Sequence, residues 1–122
     1  MSLTKTVLVV DDSRVSRLMA RQFILSAQPS WIIEEAATGE EAIAKAQAIS
    51  PQLILIDVNM PGMGGVAAAE QLRSLCPHAT ISLVTANVQN ATRNRAAELG
   101  VGFMEKPITE ARIHALVGTL AP

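Results

Sequence analysis

Residues 53–65 read LILIDVNMPGMGG, an apolar run that ends in an acid and is followed by a loop rich in glycine and proline. A continuous apolar run predicts a strand that is buried on both faces of a sheet, here Leu53–Ile56. Asp57 comes directly after it, and the loop Val58–Gly64 leads into a predicted helix at about Gly65–Leu75. The stretch therefore indicates one strand–helix unit of a parallel sheet, with a carboxylate at the carboxyl end of its strand.

The same alternation of strand and helix continues on both sides of this unit. Apolar runs predict four more strands, at Thr6–Val10, Trp31–Ala36, Thr80–Val84 and Gly102–Met104. Four more helices are predicted at about Arg14–Ala27, Thr38–Ile49, Asn90–Leu99 and Thr109–Leu120. This alternation predicts an α/β fold, a doubly wound five-stranded parallel sheet of (βα)5 form, as a single domain over residues 1–122.

The spacing of apolar residues within two helices predicts which side of each helix faces the core. In the first helix, the residues expected to do so are Val15, Leu18 and Met19. In the last helix, they are Ile113, Leu116, Val117 and Leu120. The first helix also carries arginines on one face, which either form a solvated charged surface or help to dock a partner: Arg14, Arg17 and Arg21.

The composition excludes several classes of protein. The chain of 122 residues is 49% hydrophobic and 17% charged, with a net charge of −1. A near-neutral charge excludes a strongly basic nucleic-acid-binding protein, and no apolar run approaches the ~18 residues of a membrane helix. The single cysteine, Cys76, cannot form an internal disulfide or a zinc site. We therefore expect a cytoplasmic protein that neither inserts into membranes nor binds nucleic acid directly.

The residues able to do chemistry follow the predicted strands. All three aspartates of the chain stand at strand ends, as do one threonine and one lysine: Asp11, Asp12, Asp57, Thr85 and Lys106. Each aspartate alone could be a turn residue, but ligands of open parallel sheets bind at these ends. Carboxylates ~4 Å apart repel one another by about 4 kcal/mol, so their pKa values rise or a cation binds. The all-oxygen set favours Mg²⁺, then Mn²⁺ or Ca²⁺, beside groups that suit phosphoryl transfer to a carboxylate.

Four segments together resemble the receiver domain of response regulators in two-component signalling. They are VLVVDDS at Val7–Ser13, LILIDVNMPGMGG at Leu53–Gly65, VTA at Val84–Ala86 and FMEKP at Phe103–Pro107. The resemblance spans essentially the whole chain and implies a flavodoxin-like, chemotaxis-regulator-like sheet with the strand order 2-1-3-4-5.

The resemblance also implies a phosphoacceptor and a metal site. Asp57 is similar to the aspartate that receives the phosphoryl group, and Asp11 and Asp12 to the acidic pair that binds Mg²⁺ with it. Asp12 would be the direct ligand and Asp11 would act through water. Asn59 stands where members of the family offer a backbone carbonyl to the metal, and Mn²⁺ could replace Mg²⁺.

Further positions resemble the family's phosphoryl contacts and switch. Lys106 is similar to the lysine that contacts the phosphoryl group, and Thr85 to the switch hydroxyl that moves toward it. Phe103 stands at the switch aromatic but lacks a phenol, and the Lys106–Pro107 bond is expected to be cis. Gly64 departs from the family because many members carry an acidic residue at this position.

The implied function is a signalling switch and not a metabolic enzyme. A sensor histidine kinase, a phosphotransfer protein or a small phosphodonor would supply the phosphoryl group, and the domain would catalyse its own phosphorylation and slow dephosphorylation. Phosphorylation would change the surface of the fourth helix, fifth strand and fifth helix, and thereby its affinity for a downstream effector protein.

Other interpretations remain open from the sequence. Within the family, the chain could be a receiver domain excised from a larger response regulator or hybrid histidine kinase. An aspartate-dependent phosphohydrolase typically needs a second aspartate two residues after the first, where this chain has Asn59. A nucleotide- or flavin-binding module is disfavoured because the first strand ends in acids instead of a glycine-rich loop. An interaction domain without phosphorylation is disfavoured by the complete set of acids, threonine and lysine.

Overall fold

The computed structural model describes residues 4–120, which form a five-stranded parallel sheet with helices on both faces. The strands are β1 (Thr6–Val10), β2 (Ile32–Ala36), β3 (Leu53–Asp57), β4 (Thr80–Thr85) and β5 (Gly102–Glu105). The helices are α1 (Arg14–Ala27), α2 (Gly39–Ile49), α3 (Gly64–Leu75), α4 (Asn90–Leu99) and α5 (Glu110–Gly118). The strand order is β2-β1-β3-β4-β5, which confirms the predicted fold class. Residues 1–3 and 121–122 of the predicted domain lie outside the described residues.

The sheet separates two hydrophobic cores. Successive strand residues point to opposite faces, so Leu8 and Val10 enter one core while Val7 and Val9 enter the other. Helices α2, α3 and α4 cover the first core, largely with alanines, and α1 and α5 cover the second. Burial on both faces is the reason that the strands read as continuous apolar runs.

The prediction for the core-facing side of α1 is wrong. Val15, Leu18 and Met19 are 67%, 50% and 39% exposed, whereas Ala20 and Ile24 are buried. The two sets lie on opposite sides of the helix, because residues 20 and 24 are about half a turn away from residue 15. The arginine-bearing side can turn toward the sheet because Glu35 on β2 pairs with the guanidinium groups there. In α5 the predicted stripe is confirmed, since Ile113 and Val117 are buried, and Leu116 and Leu120 pack against the same core while partly buried.

Several strands run one residue further than predicted. β3 ends at Asp57 and β4 at Thr85, so both of these residues take part in the sheet. Helix α5 begins at Glu110 because Thr109 is its N-cap and accepts a hydrogen bond from the backbone N–H of Arg112. The longer strands mean that Asp57 and Thr85 are carried by paired backbone and not by loops.

Candidate functional site

The three aspartates meet at the carboxyl edge of the sheet. Asp11 and Asp12 follow β1, and Asp57 is the last residue of the neighbouring strand β3. One carboxylate oxygen from each lies within 4.8 Å of those of the other two. Asp11 and Asp57 are 6% and 5% exposed, whereas Asp12 is exposed to solvent. The fold therefore brings the predicted acids together with two of them nearly buried.

The backbone around Asp57 is fixed by β4 and by the start of α3. The N–H of Val58 donates to the Val84 carbonyl at 2.9 Å, and the N–H of Gly65 donates to the Val58 carbonyl at 3.1 Å. A Cβ atom on Gly65 would lie 2.0 Å from the carbonyl oxygen of Asp57, so only glycine fits there. The N–H of Asn59 lies 3.4 Å from Asp57 Oδ1, which places the Asn59 backbone beside the carboxylate.

Lys106 reaches the acids from the end of β5. Its N–H donates to the Thr85 carbonyl at 2.7 Å, and the Lys106–Pro107 peptide bond is cis, as expected. Its Nζ lies 3.0 Å from Asp11 Oδ2 and 3.5 Å from Asp57 Oδ1. One ammonium group is thus shared between the two nearly buried carboxylates.

The electrostatics of the site leave negative charge only partly balanced. Burial raises the pKa of Asp57, the Asp11 carboxylate raises it further, and Lys106 and the Asn59 N–H offset only part of the rise. Burial alone would lower the pKa of Lys106, but hydrogen bonds and charge attraction from Asp11 and Asp57 more than compensate and leave it raised. The ionised carboxyl of Asp57 is therefore costly in this protein without a further cation.

The donor set fits a hard divalent cation. It consists of carboxylate oxygens from Asp11, Asp12 and Asp57, and none of the described histidines or the cysteine belongs to the cluster. Mg²⁺, Mn²⁺ and Ca²⁺ prefer oxygen ligands, and Mg²⁺ is commonly bound through one or two carboxylates. The acidic cluster can thus bind a metal ion, and the raised pKa of Asp57 shows why a cation would be favoured there.

Of the predicted switch residues, Thr85 follows Val84, the residue on β4 that pairs with Asp57, and Phe103 lies one strand further away on β5. Thr85 is 1% exposed, and its hydroxyl donates to the Asn87 carbonyl and accepts from the Asn87 N–H, both at 3.1 Å. Phe103 is half-buried, and the guanidinium carbon of Arg93 lies 5.6 Å from its ring centroid. Arg93 was not singled out by the sequence, because a contact between α4 and β5 leaves no periodic signal.

Arg17 is a second residue that sequence reasoning did not assign to the site. Its Nη1 donates to the backbone carbonyl of Asp11 at 2.7 Å, and its Nε donates to Glu35 at 2.9 Å. The acidic residues of β2 are the signal that could have indicated this role. The register places Glu35 opposite Val9, two residues before Asp11, within reach of an arginine on α1.

Residues 7–118 match the family model of the response regulator receiver domain. The chain belongs to this family. It is 36% identical over 103 residues to a protein-glutamate methylesterase/protein-glutamine glutaminase of Caldanaerobacter subterraneus, covering 83% of the chain and 28% of that protein. It is 33% identical over 110 residues to the response regulator protein VraR of Staphylococcus aureus, covering 90% of the chain and 53% of VraR. The chain thus spans about half or less of the length of these relatives.

A solved structure agrees with this assignment. The chemotaxis protein CheY4 of Vibrio cholerae superposes with a TM-score of 0.85 at 28% identity, covering 96% of this chain and 98% of CheY4. The chain is therefore a receiver domain of two-component signalling, a family of signalling switches and not of metabolic enzymes. Among residues 4–120, no helix is both long and apolar enough to cross a membrane.

Proposed function

We propose that this receiver domain is a switch turned on by phosphoryl transfer to Asp57. The observation that carries the proposal is a nearly buried carboxylate, with a raised pKa, that shares one lysine ammonium with a neighbouring acid. A carboxylate oxygen of Asp57 attacks the phosphorus of a phosphohistidine, the P–N bond breaks, and the leaving imidazole takes up a proton from solvent. With a small phosphodonor, a P–O bond breaks instead.

The same proposal assigns a Mg²⁺ site to Asp11, Asp12, Asp57 and the backbone carbonyl of Asn59, with Mn²⁺ as an alternative. The metal, when bound, would neutralise charge on the transferring phosphoryl group. The support is the 4.8 Å cluster of carboxylate oxygens and the position of the Asn59 backbone beside Asp57. The exposed carboxylate of Asp12 is free of the lysine contact that Asp11 makes, which supports Asp12 as the direct ligand.

Lys106 and Thr85 respond to the new phosphoryl group. Lys106 Nζ already lies 3.5 Å from Asp57 Oδ1, so a phosphoryl oxygen on this carboxylate comes within reach of the ammonium group. The Thr85 hydroxyl is held only by Asn87, two residues away, and a short rotation would exchange this local contact for the phosphoryl oxygen. These two residues complete the catalytic and switch set of the proposal together with Asp57.

The switch is read out on the face formed by α4, β5 and α5. Movement of Thr85 opens space beneath β5, and Phe103 turns inward to fill it, which shifts the balance between two conformations of this face. The half-buried position of Phe103 under Arg93 supports such a two-position side chain. The changed face alters affinity for a downstream effector protein.

The phosphodonor protein docks on the exposed side of α1. Val15, Leu18 and Met19 form an exposed apolar patch there, which continues into a cleft of about 280 Å³ that reaches Asp57. An apolar patch beside the phosphoacceptor suits a helix that presents a phosphohistidine, from a sensor histidine kinase or a phosphotransfer protein. Docking through Arg17 and Arg21 is less favoured, because Glu35 already pairs with both.

The test is the intact mass after incubation with acetyl phosphate, in Mg²⁺ and in EDTA, for the wild type and Asp57→Asn. We expect one phosphoryl adduct that requires both the metal and Asp57. Beryllofluoride binding is measured as well, to exclude an adduct that is hydrolysed too rapidly to be detected. If no adduct forms and beryllofluoride does not bind, the phosphoryl mechanism is overturned and the chain is an interaction domain without phosphorylation. A stoichiometric adduct on Asp57→Asn would show that another residue is the acceptor.

A second candidate is a receiver domain that is part of a larger response regulator or hybrid histidine kinase. The observation that favours it is the length of the relatives, of which the chain covers only 28% and 53%. In either case we propose that residues 1–122 form a single domain that works in the cytoplasm, consistent with the free thiol of Cys76. The mass of the protein expressed from its own gene in the source organism would distinguish the two.

A further inference from the structure

Both backbone polar groups of Asp11, its N–H and its carbonyl, are held by hydrogen bonds. Its N–H donates to the Ala36 carbonyl at 3.1 Å, one hydrogen bond beyond the last residue of β1. β2 ends at Ala36, and the carbonyl of Asp11 accepts its hydrogen bond from Arg17 Nη1 at 2.7 Å instead. A side chain thus continues the hydrogen bonding of Asp11 at the point where the strand pairing stops.

Arg17 is itself held in place. Its Nε donates to Glu35 Oε1 at 2.9 Å, and only 16% of its side chain is exposed. The other carboxylate oxygen of Glu35 pairs with Arg21 Nη1 at 3.1 Å. Since β2 carries Glu35 and pairs with β1, the chain of contacts from Glu35 through Arg17 to Asp11 is anchored to the sheet at both ends.

We infer that Arg17 is a positioning residue for the metal pocket, and this inference rests on the proposed function. By fixing the carbonyl of Asp11, Arg17 fixes the peptide bond between Asp11 and Asp12, and with it the directions from which both carboxylates reach the cation. Residues that orient ligands in this way commonly change metal affinity by about 10–100-fold when they are removed. Arg17 touches no reacting atom and is not a catalytic residue.

The charge of Arg17 alone predicts the opposite result. A cation near an acidic cluster weakens the binding of a second cation, so its removal should tighten metal binding if only charge mattered. Weaker binding by a folded Arg17→Ala variant is therefore a sign of positioning, because lost charge acts in the opposite direction and lost stability weakens apparent binding only when part of the protein is unfolded.

The experiment measures Mn²⁺ binding from the electron paramagnetic resonance signal of the free ion, with no phosphorylation step. We expect Arg17→Ala to raise the Kd by about tenfold. Arg21→Ala is the matched control. Arg21 pairs with the same Glu35, so the variant loses the same charge, but the side chain of Arg21 makes no hydrogen bond to Asp11. Its Kd should stay within about twofold of the wild type, and circular dichroism should show that both variants are folded.

A conservative variant keeps the inference testable if Arg17→Ala does not fold. Arg17→Lys retains the charge but offers one ammonium group for two acceptors, so we expect its Kd to rise about threefold or more. A Kd for Arg17→Lys equal to that of the wild type would then overturn the inference.

The outcomes separate this inference from the proposed function. Wild-type protein should bind Mn²⁺, and Asp57→Asn should weaken binding. If the wild type binds no Mn²⁺, the metal site and the positioning role are both wrong. If it binds, and Arg17→Ala binds equally or more tightly or is weakened no more than Arg21→Ala, only the positioning role is wrong.

Discussion

At the scale of single residues, the protein keeps a carboxyl group where its charge is unfavourable. Asp57 is 5% exposed and faces Asp11, and these two features raise its pKa more than Lys106 lowers it. The folded protein therefore holds the Asp57 proton more tightly than the unfolded chain does. Ionisation of Asp57 must then favour the unfolded state, and stability is lost as the pH rises from the unfolded-state pKa toward the raised folded-state pKa.

Asp57→Asn should therefore be more stable than the wild type at neutral pH in metal-free buffer. The difference in free energy of unfolding should grow as the pH rises above about 4, because only the wild type has this carboxyl to ionise. Urea unfolding at a series of pH values in EDTA measures it. Asp12→Asn, at an exposed member of the cluster, is the control and should gain less. A variant less stable than the wild type at pH 7 would contradict the prediction.

Lys106→Ala should have opposite effects on metal binding and on phosphoryl transfer. Loss of an ammonium group 3.0 Å from Asp11 and 3.5 Å from Asp57 leaves more negative charge for a cation, so Mn²⁺ affinity should rise about threefold or more. Phosphorylation by acetyl phosphate should slow by about a hundredfold, because the transferring group loses a charge partner. Calorimetry and intact mass measure the two effects, and a parallel fall in both would show that the fold is damaged.

The sequence predicted the acids, Lys106 and Thr85 because each one lies within two residues of the predicted end of a strand, and strand ends converge in a parallel sheet. It did not predict Arg17, whose partner atom is a backbone carbonyl and carries no signal of its own. The type of a residue indicates whether it can bind a cation, but it does not indicate which other group holds that residue in place.

At the scale of elements, all ten predicted strands and helices are present, and their ends differ from the predicted ones by two residues at most. The orientation of α1 is the exception. Its apolar residues and its arginines both recur at helical spacing, so periodicity alone cannot decide which side is inside. Glu35, on a different element, decides it by pairing with Arg17 and Arg21.

The N-cap of α2 should contribute to the free energy of unfolding, and two variants test this expectation. Thr38 caps α2 by accepting from the N–H of Glu41, whereas Gln89 at the start of α4 makes no such side-chain bond. Thr38→Ala should lower the free energy of unfolding by about 1 kcal/mol, and Gln89→Ala should change it by less than about 0.5 kcal/mol. Equal losses in urea denaturation would mean that the cap of α2 contributes nothing specific.

The start of α3 is expected to be intolerant of even one methyl group. A Cβ on Gly65 would meet the backbone of Asp57, so Gly65→Ala must displace the end of β3 or the start of α3. We expect a loss of about 2 kcal/mol or more and slower phosphorylation. Gly118→Ala, in α5, adds a Cβ that would meet no atom within 4 Å beyond its own turn of helix, and it should instead be neutral or stabilise by about 0.5–1 kcal/mol. Thermal unfolding compares the two variants, and similar behaviour would contradict the expectation.

At the scale of the whole molecule, the acidic cluster and Trp31 lie at opposite ends of the sheet. Trp31 precedes β2 and is buried with α1 and α5, whereas the acids follow the carboxyl ends of the strands. A strand of five residues separates these ends by roughly 15 Å or more. Fluorescence of Trp31 should therefore be unchanged by saturating Mg²⁺. It should shift to the red in urea, together with the circular dichroism signal. A fluorescence change on metal binding would show that the two ends are coupled.

The two sides of α1 also have a consequence for how such a protein can diverge. Ala20 and Ile24 hold the helix to the sheet, while Val15 and Leu18 lie on the exposed side, where we propose that the phosphodonor protein docks. Polar substitutions at Val15 and Leu18 should leave the free energy of unfolding within about 0.5 kcal/mol of the wild type. After a gene duplication, one copy could therefore acquire a new signalling partner through changes on this side without any second change to restore its stability. Two related signalling pathways could thus become separate through single substitutions on the exposed side of α1.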